Sequence, residues 1–328
     1  MVANEILTLV PVGAVALYTL VTAASRAIDR LVGLAKHYHV SELLVGMTVL
    51  AAGTSLPELG SHLVASIGIV SGTLDYRTTS AVVIGGNLGS SSVQQFLLIG
   101  VLLIGYGSVE LSERFVRESY LPMLATFAVT LALLWDGTVG RLDGAILLAL
   151  YGAYVAVSVA TRERTRTIRA PSSVDPRRDG LVAAGLLVLV LLAATVVLSV
   201  VESVVALLDL GGSTVGVVTI GVAAALPELT AVVDAIRRQA PNVALGTLVG
   251  SNIVNPLVGL GLGGVVSTYY VPSAVVLWDL PFKLLVGAGV LGWAWYVNDG
   301  ALTRAEGISL LGLYFAFVIG RLLLFPGQ

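Results

Sequence analysis

The chain contains no cysteine. That absence excludes disulfides, thiolate metal sites and cysteine nucleophiles together. Charge is nearly as scarce. Only 12% of the 328 residues are Asp, Glu, Lys or Arg, about half of the ~25% that soluble domains carry. A chain so depleted cannot clothe a globular surface with charge. With 56% hydrophobic residues and a mean hydropathy of +0.94, its expected solvent is lipid. Three histidines, His37, His39 and His62, are too few for a His-rich metal centre. A net charge of −2, with no basic patch outside short loops, argues against a nucleic-acid partner. There is no HExxH, no GxSxG and no paired catalytic Asp motif, which argues against an enzyme. The N-terminus lacks a basic segment and a small-residue cleavage site, so the first apolar run is expected to be a retained span.

What is present is membrane helix. A span needs about 20 mostly apolar residues. Ten segments qualify: Ile6–Thr22, Leu43–Ile67, Ala81–Ile104, Tyr120–Trp135, Leu142–Ala160, Leu181–Val200, Val215–Ala235, Val243–Val265, Ala274–Tyr296 and Leu302–Leu324. Lys and Arg in short loops mark the cytoplasmic side. With the N-terminus outside, fourteen of them, from Arg26 to Arg304, lie in inner loops, and only Arg77, Arg141 and Arg321 lie outside. The expected setting is therefore the cell membrane, with the main linker cytoplasmic. Trp135, Trp278, Trp293 and Trp295 read as interfacial anchors.

The basic stretch Arg162–Arg178 divides the chain into a first half (1–161), a linker (162–179) and a second half (180–328). Each half holds five spans. Five is odd, so the halves must lie in the membrane with opposite topology. Inverted repeats of this kind build secondary transporters, with the site at mid-bilayer where the halves meet. The repeat is legible in the residues. Leu56-Pro57-Glu58-Leu59 returns 170 residues later as Leu226-Pro227-Glu228-Leu229, and Gly89-Ser90 returns as Gly250-Ser251. The first half carries about nine extra residues, placed by the sequence in an outer loop at Thr73–Ser80.

A carboxylate inside a membrane span is costly and marks function. Here each sits beside a proline, which has no N–H and displaces the carbonyl four residues earlier. Pro57 thus frees the carbonyl of Gly53, and Pro227 that of Ala223. In lipid a freed carbonyl needs a partner or a wet cavity, and a cation is such a partner. Calcium takes six to eight oxygens from carboxylates, carbonyls and water. Neutral oxygens come from Gly89-Ser90-Ser91-Ser92-Val93-Gln94 and Gly250-Ser251-Asn252-Ile253-Val254-Asn255. Ser90 with Gln94, and Ser251 with Asn255, are four apart and share a helix face.

Gly53-Thr54-Ser55-Leu56-Pro57-Glu58, followed by a Gly-Ser-Asn-Ile-x-Asn segment (Gly250 to Asn255), in two inverted halves, resembles the sodium/calcium exchanger family of the calcium/cation antiporter superfamily. The resemblance covers nearly the whole chain. It implies an all-α membrane protein of ten transmembrane helices in two inverted five-helix repeats, working as an antiporter without a cofactor. Its ligands would be inorganic cations, calcium and sodium, and no obligatory protein partner is implied beyond the lipid bilayer. Four central residues, Glu58, Gln94, Glu228 and Asn255, would bind the divalent ion. Thr54, Ser55, Ser90 and Ser251, with the carbonyls of Ala51 and Gly221, would complete the sodium sites. Spans one and six would slide across a fixed core.

Two departures stand out. The second half reads Ala224-Ala225 where the family pattern has Thr-Ser, so two hydroxyls are missing. The first amide is Gln94, one methylene longer than the usual Asn, with Gln95 beside it as an alternative. Sodium coupling is therefore weighed against proton coupling, and both against a passive cation channel. Other expectations are local. His62, four residues after Glu58, faces an aqueous vestibule or bonds a neighbour. Asp279 and Lys283, also four apart, form a helical pair. Asn87 and Asn252 lie outside the central site.

Overall fold

A computed structural model describes residues 2–37, 55–161, 175–208, 211–237, 239 and 241–328 of the protein. Its main helices, in chain order, are α1 (Val2–His37), α2 (Leu56–Ser71), α3 (Tyr76–Ser92), α4 (Ile99–Tyr106), α5 (Leu121–Leu133), α6 (Arg141–Thr161), α7 (Pro176–Leu208), α8 (Gly221–Ala224), α9 (Leu226–Arg237), α10 (Pro241–Val254), α11 (Gly261–Val266), α12 (Leu280–Tyr296) and α13 (Arg304–Leu324). Among the described residues, eight helical segments are long and apolar enough to cross a membrane. Of the ten expected, the span at Leu43–Ile67 runs into residues outside the described set, and its described part is α2. The fourth is helical but opens on Glu113, Arg114, Arg117 and Glu118, which dilute its apolar content. The fold is that of an all-α membrane protein, as the sequence indicates.

Stretches of π-helix interrupt the rods, and two of them recur at matching places in the halves. Val93–Leu98 joins α3 to α4, and Asn255–Leu260 joins α10 to α11. Val116–Tyr120 leads into α5, and Val275–Asp279 leads into α12. Pro122, Pro256 and Pro281 lie in or just after three of these. A proline supplies no N–H to the carbonyl four residues back, so the ladder skips to the next donor.

Short ribbons tie the ends. β1 (Ser108–Glu110), after α4, pairs antiparallel with β4 (Ala301–Thr303), before α13. β2 (Thr138–Val139), after α5, pairs with β3 (Tyr269–Tyr270), after α11. Paired loops must share one side of the membrane, so the crossings between them are fixed to an even number. Arg30 on α1 reaches Asp179 on α7 at 2.6 Å. At the other end of α7, Glu202 accepts from the Asp75 N–H at 2.7 Å.

The segment Thr73–Ser80 is not the loop the sequence suggested. Gly72 closes α2 in the left-handed conformation (φ 71°), and α3 starts at Tyr76. The extra residues of the first half lengthen both α2 and α3 relative to α9 and α10 instead. Asp75 caps α3 by accepting the Thr78 N–H at 2.7 Å, which holds its carboxyl below the usual range.

The core lies where α3 and α4 meet the broken span 212–237, α10, the π-stretch Asn255–Leu260 and α13. Glycine sets how closely the halves approach. A Cβ on Gly85 would lie 2.3 Å from the Ser213 carbonyl oxygen, and one on Gly89 would lie 2.5 Å from that of Val217. In contrast, α1 and α7 pack mainly on each other, through Ala23, Ala24, Ala193 and Ala194. Their outer faces expose Leu7, Val15, Tyr18 and Leu181. Trp135, Trp293 and Trp295 are exposed as interfacial anchors would be, but Trp278 is not. Its indole N–H donates to the Phe317 carbonyl at 3.0 Å and its ring packs on Phe282.

Candidate cation site

Both Leu-Pro-Glu motifs open a helix inside the protein. In the second half α8 ends at Ala224, Ala225 leaves helical geometry, and α9 begins at Leu226. In the first half α2 begins at Leu56, with the buried Ser55 ahead of it. Proline is tolerated here because the first N–H groups of a helix have no internal partner. Glu58 and Glu228 thus fall in the first turn of their helices. There the helix dipole favours negative charge. In the second half the motif therefore starts a new helix after a break rather than bending a continuous one.

The other polar groups come from the second repeated segment. Ser90 lies on α3 and Gln94 on the π-stretch after it, while Ser251 lies on α10 and Asn255 opens the matching π-stretch. All of them are buried. Ser90 Oγ donates to Glu58 Oε1 at 2.5 Å. Gln94 Nε2 lies 3.2 Å from Ser90 Oγ and 3.3 Å from Glu228 Oε1. Ser251 Oγ approaches Glu228 Oε1 at 3.4 Å. One continuous chain of polar contacts therefore joins the two glutamates across the halves.

Saturation is uneven. Ser55 Oγ, Glu58 Oε2 and both side-chain polar atoms of Asn255 are buried with no hydrogen-bond partner among the described residues. An unsatisfied buried polar atom costs about 1–3 kcal/mol. Three of these atoms, Ser55 Oγ, Glu58 Oε2 and Asn255 Oδ1, are oxygens whose cost a cation and water would offset.

The remaining residues expected from the sequence divide. Gly221 is buried at the start of α8, so close to α3 that a Cβ there would lie 2.6 Å from the Ser90 nitrogen. Its carbonyl accepts the Ala225 N–H at 3.3 Å. Thr54 and Ala51 lie outside the described residues.

Other groups belong to the site that the sequence reading left aside. Asn252 Nδ2 donates to Gln94 Oε1 at 3.1 Å, and Lys283 Nζ donates to Asn252 Oδ1 at 3.3 Å. Asn87 Nδ2 reaches the Asn255 carbonyl at 2.7 Å and His62 Nε2 at 3.0 Å. His62 is buried, with Nδ1 3.3 Å from the Tyr269 hydroxyl, so it faces no vestibule. Lys283 was legible as a charge in an apolar span, paired by its spacing with Asp279, but only its contacts connect it to the site. Asp279 is not its main partner. Arg321 Nη1 meets both Asp279 carboxylate oxygens at 2.6 Å, and both residues are buried. Arg321 is therefore a core residue, not a loop charge. Gln95 points away, donating to the Lys283 carbonyl at 3.0 Å, which leaves Gln94 as the amide at the glutamates.

The family model of the sodium/calcium exchanger protein matches residues 9–160 and 180–323. The chain belongs to the sodium/calcium exchanger protein family. It is accordingly a membrane antiporter of that superfamily and not an enzyme. It is 27% identical over 319 residues to the inner membrane protein YrbG of Escherichia coli, covering 93% of this chain and 94% of that protein. It is 26% identical over 331 residues to the sodium/calcium exchanger MaX1 of Methanosarcina acetivorans, covering 87% and 90%. A structure of the sodium-calcium exchanger NCX_Mj, soaked with sodium and strontium, aligns over 97% of this chain and 99% of its own. The TM-score is 0.64 and the identity 22%, a likeness of fold.

Proposed function

We propose that this exchanger-family protein carries calcium, or a related divalent cation, against sodium by alternating access. The observation that supports it most is the buried polar chain from Glu58 through Ser90 and Gln94 in the first half to Glu228 in the second. Glu58, Glu228, Gln94 and Asn255 are the divalent site in this reading. Ser55, Ser90 and Ser251, with Thr54 and the carbonyls of Ala51 and Gly221, serve sodium. Two carboxylates suit a doubly charged ion, and their neutral neighbours suit singly charged ones. Residues 1–161 and 180–328 are the inverted halves, joined by the cytoplasmic linker 162–179, with the N-terminus outside and the cell membrane as location. The α1–α7 pair is the moving part, since the two helices pack more on each other than on the rest and small residues line their contact.

A proton-coupled variant has one specific support. Ala224 and Ala225 are both buried at the break before Glu228, where hydroxyls would be available to sodium. The two readings separate in proteoliposomes loaded with purified protein. Calcium uptake driven by an imposed sodium gradient alone is the expected result. Uptake driven only by a pH gradient selects proton coupling. Non-saturating flux without counter-transport would identify a channel and overturn both.

A further inference from the structure

Among the described residues, Lys283 is a buried cation with few polar neighbours. It is fully buried, and its ammonium lies 4.4 Å over the Phe127 ring. Its described polar contact is Asn252 Oδ1, at 3.3 Å. Asn252 in turn has no freedom. Its Nδ2 donates to the Leu248 carbonyl at 2.8 Å and to Gln94 Oε1 at 3.1 Å. A backbone carbonyl only accepts and a lysine ammonium only donates, so both neighbours dictate the same orientation of the Asn252 amide. Flipping it would set oxygen against the Leu248 oxygen and NH2 against the ammonium. The orientation passes on. Gln94 must turn its oxygen to Asn252 and its nitrogen to Glu228 Oε1, at 3.3 Å.

We propose that Lys283 is a positioning residue that acts through Asn252 to hold Gln94 as a donor to Glu228 rather than as an oxygen ligand to the transported cation. The inference rests on the cation-site reading above and changes the role of one of its members. It predicts a site with one fewer oxygen ligand and an amide that competes with the ion for Glu228. Lys283 then weakens cation binding and eases release, with its influence confined to the path through Gln94.

The test is a double-mutant cycle of Lys283→Met and Gln94→Leu in the full-length protein. Methionine suits the apolar pocket over Phe127, and Asp279 keeps its ion pair with Arg321. Calcium binding to purified protein is measured by titration calorimetry. Lys283→Met should tighten it about tenfold, near ~1.4 kcal/mol, because Asn252 is then held by the Leu248 carbonyl alone and the Gln94 amide gains the freedom to present its oxygen. In the Gln94→Leu background the same substitution should have no effect, and Lys283→Arg should restore the parental affinity. An equal shift in both backgrounds means that Lys283 acts through space as a charge, and overturns the relay. So does no shift in either. Melting temperatures in ion-free buffer give a second reading that needs no transport. The double variant should melt no lower than the worse single variant, and additive losses would reject the relay. Wild-type protein that binds and exchanges no calcium would sink the exchanger reading alone, and the ion-free cycle would still decide the relay.

Discussion

At the scale of single residues, the site depends on two carboxylates in protein interior. Glu58 and Glu228 are both buried, yet Glu58 accepts the Ser90 hydroxyl, and Glu228 accepts the Gln94 amide and the Ser251 hydroxyl. Glu58→Gln or Glu228→Gln keeps the volume and removes the charge. Each should abolish exchange in the proteoliposome assay while gel-filtration behaviour and melting stay near wild type. Exchange at wild-type rate in both variants would refute the assignment. Both glutamates were legible in the sequence because a charge in an apolar span stands out. Ser90, Ser251 and Asn255 were legible through their spacing. The links of Lys283, Asn252 and Asn87 to the site were not, because hydrogen bonds between side chains 25 to 158 positions apart leave no local pattern. The Asp279–Lys283 spacing misled for a related reason. Helical proximity permits a pair, but Arg321 offers Asp279 two contacts at 2.6 Å from another helix.

At the scale of elements, proline decides more than a bend. It places Glu58 and Glu228 in the opening turns of their helices, and at Pro256 it accompanies the π-stretch that begins at Asn255. Glycine decides the distance between elements. Gly89→Val would drive a side chain into the Val217 backbone, where no rotamer change relieves the clash. It should lower stability by about 1–3 kcal/mol, read as a reduced melting temperature, and displace Ser90 from Glu58. The Asp279–Arg321 pair joins the start of α12 to the end of α13. Arg321→Met leaves a buried carboxylate unpaired and should cost about 3–5 kcal/mol, whereas Asp279→Leu with Arg321→Met should recover most of it. Denaturation in mild detergent compares the three proteins. Equal stability of the single and double variants would show the pair to be energetically idle.

At the scale of the molecule, the two ribbons report topology. β1–β4 joins the segment after α4 to the one before α13, and β2–β3 joins the segment after α5 to the one after α11. With ten crossings these are opposite sides of the membrane. A chain without cysteine makes the test simple. Arg141→Cys, beside β2, should react with a membrane-impermeant maleimide in intact cells, and Arg304→Cys, beside β4, only after permeabilisation. Both positions are exposed, so access to the side chain is not limiting. Labelling of both from outside would overturn the alternation of spans, and the reversed pattern would invert the proposed orientation.

The sequence by itself determined the solvent, the spans, the duplication and the two acidic motifs. Each of these is carried by composition or by residues close together in the chain, and lipid permits few backbone solutions. The tertiary structure alone decided that the second motif starts a new helix after a break, that Arg321 is buried on Asp279, and which amide atoms face the glutamates. Those outcomes depend on donors and acceptors brought together from distant segments. In a protein interior an unmatched polar atom is costly enough that this matching selects the arrangement.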